Sequence, residues 1–145
     1  VVIALCVITG FSGMNPWILL PATLILFREV FVSGLREFLG DTAGTLKVTI
    51  LAKWKTTAQM IALAVLFATG VFQHNVLERT VGMDPAMVEA IFAGEVSDEL
   101  GLIWNAQAAS VTWYAGTVLL WVAAALTAIT GFDYFRKALP FLRDA

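Results

Sequence analysis

Long apolar runs separated by polar clusters organise this chain. The first run, Val1 to Gly10, is too short for a full crossing, which needs about 20 apolar residues. It also lacks the basic flank of a signal peptide. The pattern predicts the end of a helix that begins upstream of Val1, and hence a piece of a longer protein. Gly10-Phe11-Ser12-Gly13-Met14-Asn15-Pro16 is turn chemistry, with Asn15 as N-cap and Pro16 at the first helical position. A crossing helix is expected over residues 16–38, anchored at its start by Trp17. Pro21 bends its first turns, because it has no N–H to donate.

A loop is expected at 40–45, followed by a mixed interfacial segment at 46–55. The second full crossing covers about 54–72 and the last about 109–132. Between them, the stretch 74–107 is read as an outer loop. It holds a short helix opened by Asp84-Pro85, with Met87, Val88, Ile91 and Phe92 as its apolar stripe, and a second opened by Ser97-Asp98-Glu99. Both are expected along the membrane surface. Trp54, Trp104 and Trp113 mark interfaces, and Trp121 packs mid-span. Gly34 and Gly116 are the candidates for close helix contact. The predicted fold is an all-α, polytopic integral membrane helix bundle, with three full transmembrane helices and the end of a truncated one.

Composition agrees with a membrane chain. Charged residues make up 14% of the sequence and hydrophobic residues 59%, where an average soluble domain carries roughly 25% charged residues. The net charge of −2 says little; its distribution says more. Arg28, Arg36, Lys47, Lys53, Lys55, Arg136, Lys137 and Arg143 gather at one set of helix ends. The long loop holds Arg79 against Glu78, Asp84, Glu89, Glu95, Asp98 and Glu99. By the positive-inside rule the basic ends are cytoplasmic.

Two polar clusters at that face carry the candidate chemistry. Phe27 to Phe38 holds Arg28, Glu29, Ser33, Arg36 and Glu37. On a helix with Arg28 at zero, Arg36 falls at about 80°, Glu29 at about 100°, Ser33 at about 140° and Glu37 at about 180°, so all five share one half. The second cluster is Lys53-Trp54-Lys55-Thr56-Thr57-Ala58-Gln59. Arg presents a planar fork of donors and Lys a point charge, and both suit phosphate. Arg28, Arg36, Lys53 and Lys55 are therefore read as phosphate-binding residues. Glu29 and Glu37 orient the arginines, while Ser33, Thr56, Thr57 and Gln59 are neutral helpers. Positive-inside anchoring with snorkelling is the competing account. It is preferred for Lys47, Arg136, Lys137 and Arg143.

Other residues exclude other chemistry. Cys6 has no partner cysteine and is read as packing. His74, at the outer end of a helix, is read as structural. No His, Cys and carboxylate set has metal-ligand spacing, and no nucleophile–base pair or Gly-rich phosphate loop occurs. The basic residues sit at membrane ends, which excludes a nucleic-acid patch.

Arg28-Glu29 through Ser33-Gly34-Leu35-Arg36-Glu37, followed by Lys53-Trp54-Lys55-Thr56-Thr57-Ala58-Gln59-Met60, resembles the CDP-alcohol phosphatidyltransferase family, in its branch that uses glycerol 3-phosphate. The order of crossings agrees over nearly the whole chain; the acidic loop departs most. The resemblance makes residues 1–145 the C-terminal portion of one such membrane domain. It implies transfer of a phosphatidyl group from CDP-diacylglycerol to glycerol 3-phosphate in the bacterial cytoplasmic (inner) membrane, with release of CMP, and a homodimer in the lipid bilayer. The family's hallmark, an Asp-Gly-x-x-Ala-Arg element followed by a Gly and two further Asp, is absent here. The implied divalent metal, Mg2+ or Mn2+, would then be bound outside this segment, which alone is expected to be inactive. Two alternatives stand beside this: a family member with another acceptor, and a non-enzymatic anion-binding membrane component.

Overall fold

The computed structural model describes residues 1–40 and 50–143, and every regular element among them is a helix. They are α1 (Val2–Phe11), α2 (Pro16–Leu39), α3 (Ile50–Thr80), α4 (Pro85–Ala93) and α5 (Leu102–Arg143). Three stretches, Pro16–Leu39, Lys53–Thr80 and Leu102–Leu142, are long and apolar enough to cross a membrane. Most of the loop and interfacial segment expected at 40–55 falls on residues 41–49, outside the described residues, and Lys47 lies there too.

The 42 residues of α5 span about 63 Å at 1.5 Å per residue, roughly twice the hydrocarbon thickness. This helix is the axis of the bundle, with α2 and α3 packed against it. Trp17 meets Trp121 and Phe31 meets Phe135, so α2 runs parallel to α5. Thr69 meets Thr112 and Asn75 meets Asn105, so α3 runs antiparallel. The in-and-out order read from charge is therefore the order of the bundle.

Local chemistry explains the ends. The Asn15 side chain accepts the N–H of Trp17 at 3.0 Å, with Pro16 at the first helical position, and starts α2. Asp84 does the same for Ala86 at 3.1 Å and starts α4. Pro21 cannot donate to the carbonyl of Trp17, four residues back. That freed carbonyl accepts the indole N–H of Trp121 at 3.0 Å. Trp121 therefore does more than pack mid-span. It ties α5 to the backbone gap that Pro21 leaves in α2.

Four expected boundaries move: α3 covers Ile50–Thr80 rather than 54–72, and α5 covers Leu102–Arg143 rather than 109–132. The Ser97-Asp98-Glu99 segment opens no separate surface helix. The Asp98 carboxylate accepts the N–H groups of Leu102 and Ile103, both at 2.8 Å, and caps α5 directly. The stretch 74–107 is thus largely helical, because α3 and α5 keep pairing beyond their most apolar runs. Asn75 donates to Asn105 at 3.2 Å, and Phe72 and Trp104 stack edge to face.

Within the bundle each helix buries one stripe: Ile18, Ala22 and Ile25 on α2; Ala62, Leu63 and Leu66 on α3; Leu120, Ala123 and Ala124 on α5. Small residues matter here, since lipid is as apolar as a helix surface and association depends on close packing. A Cβ on Gly116 would stand 2.7 Å from Leu66 Cγ, so this glycine sets the approach of α3 to α5. Among the described residues, nothing lies within 4 Å of a Cβ built on Gly34.

Candidate functional site

The three buried stripes all turn polar at the same end of the bundle. On α2 the spacing 18, 22, 25 continues to Arg28, Glu29 and Val32. On α3 the spacing 66, 62 runs back to Gln59 and Lys55. On α5, running on from 120, 123 and 124, it reaches Thr127, Thr130, Gly131 and Tyr134. Helical periodicity thus delivers polar groups from three helices into one interface near the basic face.

Glu29 is the junction. It accepts from Lys55 Nζ across to α3, and from Arg28 Nη1 at 3.3 Å on its own helix. Lys55 is only 6% exposed and Gln59 1%, whereas the Glu29 side chain keeps 35% of its surface open. A buried ammonium is tolerated only with a partner, and Glu29 supplies it. Arg28 lies across Gly131 of α5, where a Cβ would come 2.8 Å from its Cγ. Its Nε is buried with no hydrogen-bond partner among the described residues, as is Gln59 Nε2.

The expected phosphate-binding residues separate into groups. Arg28 and Lys55 converge on Glu29. Arg36 is exposed and lies over the Tyr134 ring, 5.2 Å from its centroid. Lys53 is exposed and forms no ion pair among the described residues. Lys53 and Lys55 are two residues apart and so about 200° apart around α3. Only Lys55 falls on the buried stripe. Among the expected helpers, Gln59 is buried in the interface. Ser33, Glu37, Thr56 and Thr57 are exposed, and Thr57 donates to the Lys53 carbonyl at 3.2 Å. Arg136 is exposed, and Lys137 pairs with Asp133 at 2.6 Å one turn away, as suits anchoring charges.

The contribution of α5 is what sequence reasoning missed. Gly131 and Tyr134 stand three apart on one face, in line with Thr127 and Thr130. A polar break in the α5 stripe at Thr127 and Thr130 was the available signal, though its register against α2 was not. Phe31 and Phe135, 5.8 Å apart, hold the two helices in that register.

A cavity of about 680 Å³ lies at the other end, between α1, α3 and α5, lined by Val7, Phe11, Leu66, Gly70, Trp113 and Tyr114 among others. No Lys, Arg, Asp or Glu lines it, so its size does not make it the place for anion chemistry. Nor do the described residues hold three His, Cys, Asp or Glu side chains grouped to take a metal ion. They do not fit a metal centre.

Fold and site together define an integral membrane helix bundle with a buried, cationic polar site at its basic end. No family model matches the chain, and no solved structure does. Curated proteins do. The chain is 57% identical over 145 residues to a protein of Cereibacter sphaeroides named CDP-diacylglycerol–glycerol-3-phosphate 3-phosphatidyltransferase, covering 99% of this chain and 65% of the relative. A Rickettsia bellii protein of the same name is 35% identical over 122 residues, 84% of this chain and 49% of the relative. A Shigella flexneri protein, again so named, is 35% identical over 77 residues, 52% of this chain and 40% of the relative. The chain belongs to the same family as these proteins. It spans about two thirds of the Cereibacter relative's length and about half of the Rickettsia relative's.

Proposed function

We propose that this chain is part of an enzyme that transfers a phosphatidyl group from CDP-diacylglycerol to glycerol 3-phosphate, and that the segment supplies the acceptor-phosphate site. In that reaction an acceptor hydroxyl bonds to the phosphatidyl phosphorus, the bond from phosphorus to CMP breaks, and CMP leaves. The enzyme would work in the bacterial cytoplasmic membrane as a homodimer, with its basic ends facing the cytoplasm, where glycerol 3-phosphate is dissolved. The divalent metal that the resemblance implies, Mg2+ or Mn2+, is assigned to residues outside this segment.

The observation that carries the site is the convergence of Arg28 and Lys55 on one carboxylate inside a helix interface. Simple anchoring does not require a buried lysine or a glutamate partner. Glu29 acts as a stand-in anion. It holds the two cations aligned, and it shares or yields them when a phosphate dianion arrives. Arg36, at the exposed mouth, attracts the anion toward them.

An anion carrier would need the polar lining to continue across the bundle. Between Gln59 and Thr69 the buried face of α3 is Ala62, Leu63 and Leu66, set against Gly116, Leu120, Ala123 and Ala124 of α5. That packing offers no polar path, which favours a site that opens to one side.

The test uses membranes containing the full-length protein, with labelled glycerol 3-phosphate and CDP-diacylglycerol. Label is expected in the lipid extract. Lys55→Ala and Arg28→Ala should each raise KM for glycerol 3-phosphate by about tenfold or more, since a charge-assisted contact of about 1.4 kcal/mol is worth that factor. KM for CDP-diacylglycerol should stay within about twofold. Equal increases in both constants would remove the acceptor-site assignment.

A further inference from the structure

The geometry points to Tyr134 on α5 as a further anion-binding residue, holding Arg36 with its ring and offering its hydroxyl to the phosphate of the acceptor. The inference rests on the acceptor-site reading above and extends the site to a helix that neither the charge pattern nor the resemblance implicated.

Three observations converge on it. Tyr134 is 8% exposed, and its hydroxyl is buried with no hydrogen-bond partner among the described residues. Buried phenol hydroxyls are ordinarily paired, and an unpaired one costs free energy that a phenylalanine would avoid. Its ring lies beneath the Arg36 guanidinium, 5.2 Å from centroid to Cζ, a cation–π arrangement that directs an otherwise mobile side chain. One turn earlier on the same face, Gly131 lets Arg28 pass across α5, and Arg28 Nε is a second buried donor without a partner.

The unpaired groups are complementary to one class of ligand. Arg28 Nε and Gln59 Nε2 can only donate, and the Tyr134 hydroxyl can donate. Such a set, spread over the three helices at the end of the bundle that holds Lys55, is matched by an acceptor-rich dianion. A phosphomonoester has three terminal oxygens for them. The geometry gives Tyr134 two parts to play. Its hydroxyl binds the anion, and its ring is a positioning element for Arg36. Gly131 is a positioning residue for Arg28, because any side chain there would displace the arginine stem.

Tyr134→Phe keeps the ring and deletes the hydroxyl, so it separates binding from packing. In the full-length protein in membranes it should raise KM for glycerol 3-phosphate about fivefold, near the worth of one hydrogen bond to a charged group. The turnover number and KM for CDP-diacylglycerol should stay within about twofold, and the melting temperature of the unliganded protein should hold or rise, because the substitution removes a buried unpaired hydroxyl. The added thermal protection that glycerol 3-phosphate gives the purified protein in detergent should shrink in parallel. Gly131→Ala should raise the same KM. Lys55→Ala is the control. If it raises KM for glycerol 3-phosphate while Tyr134→Phe leaves that constant unchanged, the role of Tyr134 is overturned and the acceptor site stands. If neither variant moves it, the acceptor site itself falls and Tyr134 with it. A lower melting temperature in Tyr134→Phe without a change in KM would make the hydroxyl structural and end the proposal.

Discussion

The long seam along α5 is built in two ways. Toward the N-terminal end of α5 the polar groups mostly use one another up. Thr69 donates to Thr112 at 2.9 Å, Asn75 donates to Asn105 at 3.2 Å, and Asn105 donates to the Gly101 carbonyl at 2.8 Å. Thr117 is the exception there. Toward the basic end, Arg28 Nε, Gln59 Nε2, Thr127 Oγ1 and Tyr134 Oη are all buried without partners among the described residues. Satisfied groups fix helices in register. Unsatisfied ones cost about 1–3 kcal/mol each when nothing fills them, so their gathering beside Lys55 and Arg28 is more economical as a ligand site than as a seam. The contrast teaches where to look in such a bundle. Neither burial nor cavity size separates the two ends, but unused donors do.

The largest expected effect breaks the structural half. Gly116→Leu drives a side chain into the space that Leu66 occupies, with the Leu66 backbone N itself only 3.3 Å from a Cβ. A flexible side chain can turn aside, but a backbone cannot. The substitution should cost about 3 kcal/mol or more and show as loss of folded protein in detergent. Gly34→Leu, into open space, should stay within about 0.5 kcal/mol. Similar losses for both would mean that the close approach at Gly116 does not hold α3 to α5.

A smaller effect sharpens the functional half. Glu29→Gln leaves Lys55 buried without its anion. The unliganded protein should lose about 1–3 kcal/mol, toward the low end because Glu29 is itself partly open to water. Inorganic phosphate should then restore more stability to the variant than it adds to the parent protein, since it replaces the missing charge. Thermal unfolding with and without phosphate measures this. Equal phosphate shifts in the two proteins would show that Glu29 does not stand in for an anion.

Much of this contrast could be read from sequence, and the unread part has physical reasons. Helix type, crossing order and the basic face follow from apolar run length and charge placement, which act along one chain. The caps at Asn15 and Asp84 follow from local chemistry. Helix ends were less legible. Residues 73–80 and 102–108 read as loop because they are polar, yet they stay helical by pairing with each other. Within the site, Lys55 could have been separated from Lys53 by continuing the stripe 66, 62, 59 back one more turn. Tyr134 and Gly131 could not have been placed opposite Arg36 and Arg28, because the register of α5 against α2 depends on contacts such as Phe31 with Phe135 and Trp17 with Trp121. Those are properties of two helices together and of neither alone.

The smallest effect tests whether the outer seam is merely structural. Thr69→Val removes the hydroxyl that donates to Thr112 while keeping nearly the same shape. Interhelical hydrogen bonds in membrane proteins are worth about 0.6 kcal/mol on average. Thr112 also keeps its own bond to the Ala108 carbonyl at 2.7 Å, so no donor is orphaned. The variant should therefore lose about 0.5–1 kcal/mol of stability by denaturant titration. Its KM for glycerol 3-phosphate should not change, because the apolar stretch from Ala62 to Leu66 separates it from the basic site. A rise in that constant as large as the one expected for Lys55→Ala would couple the two halves of α5. The division between a register-setting end and a ligand-binding end would then have to be given up.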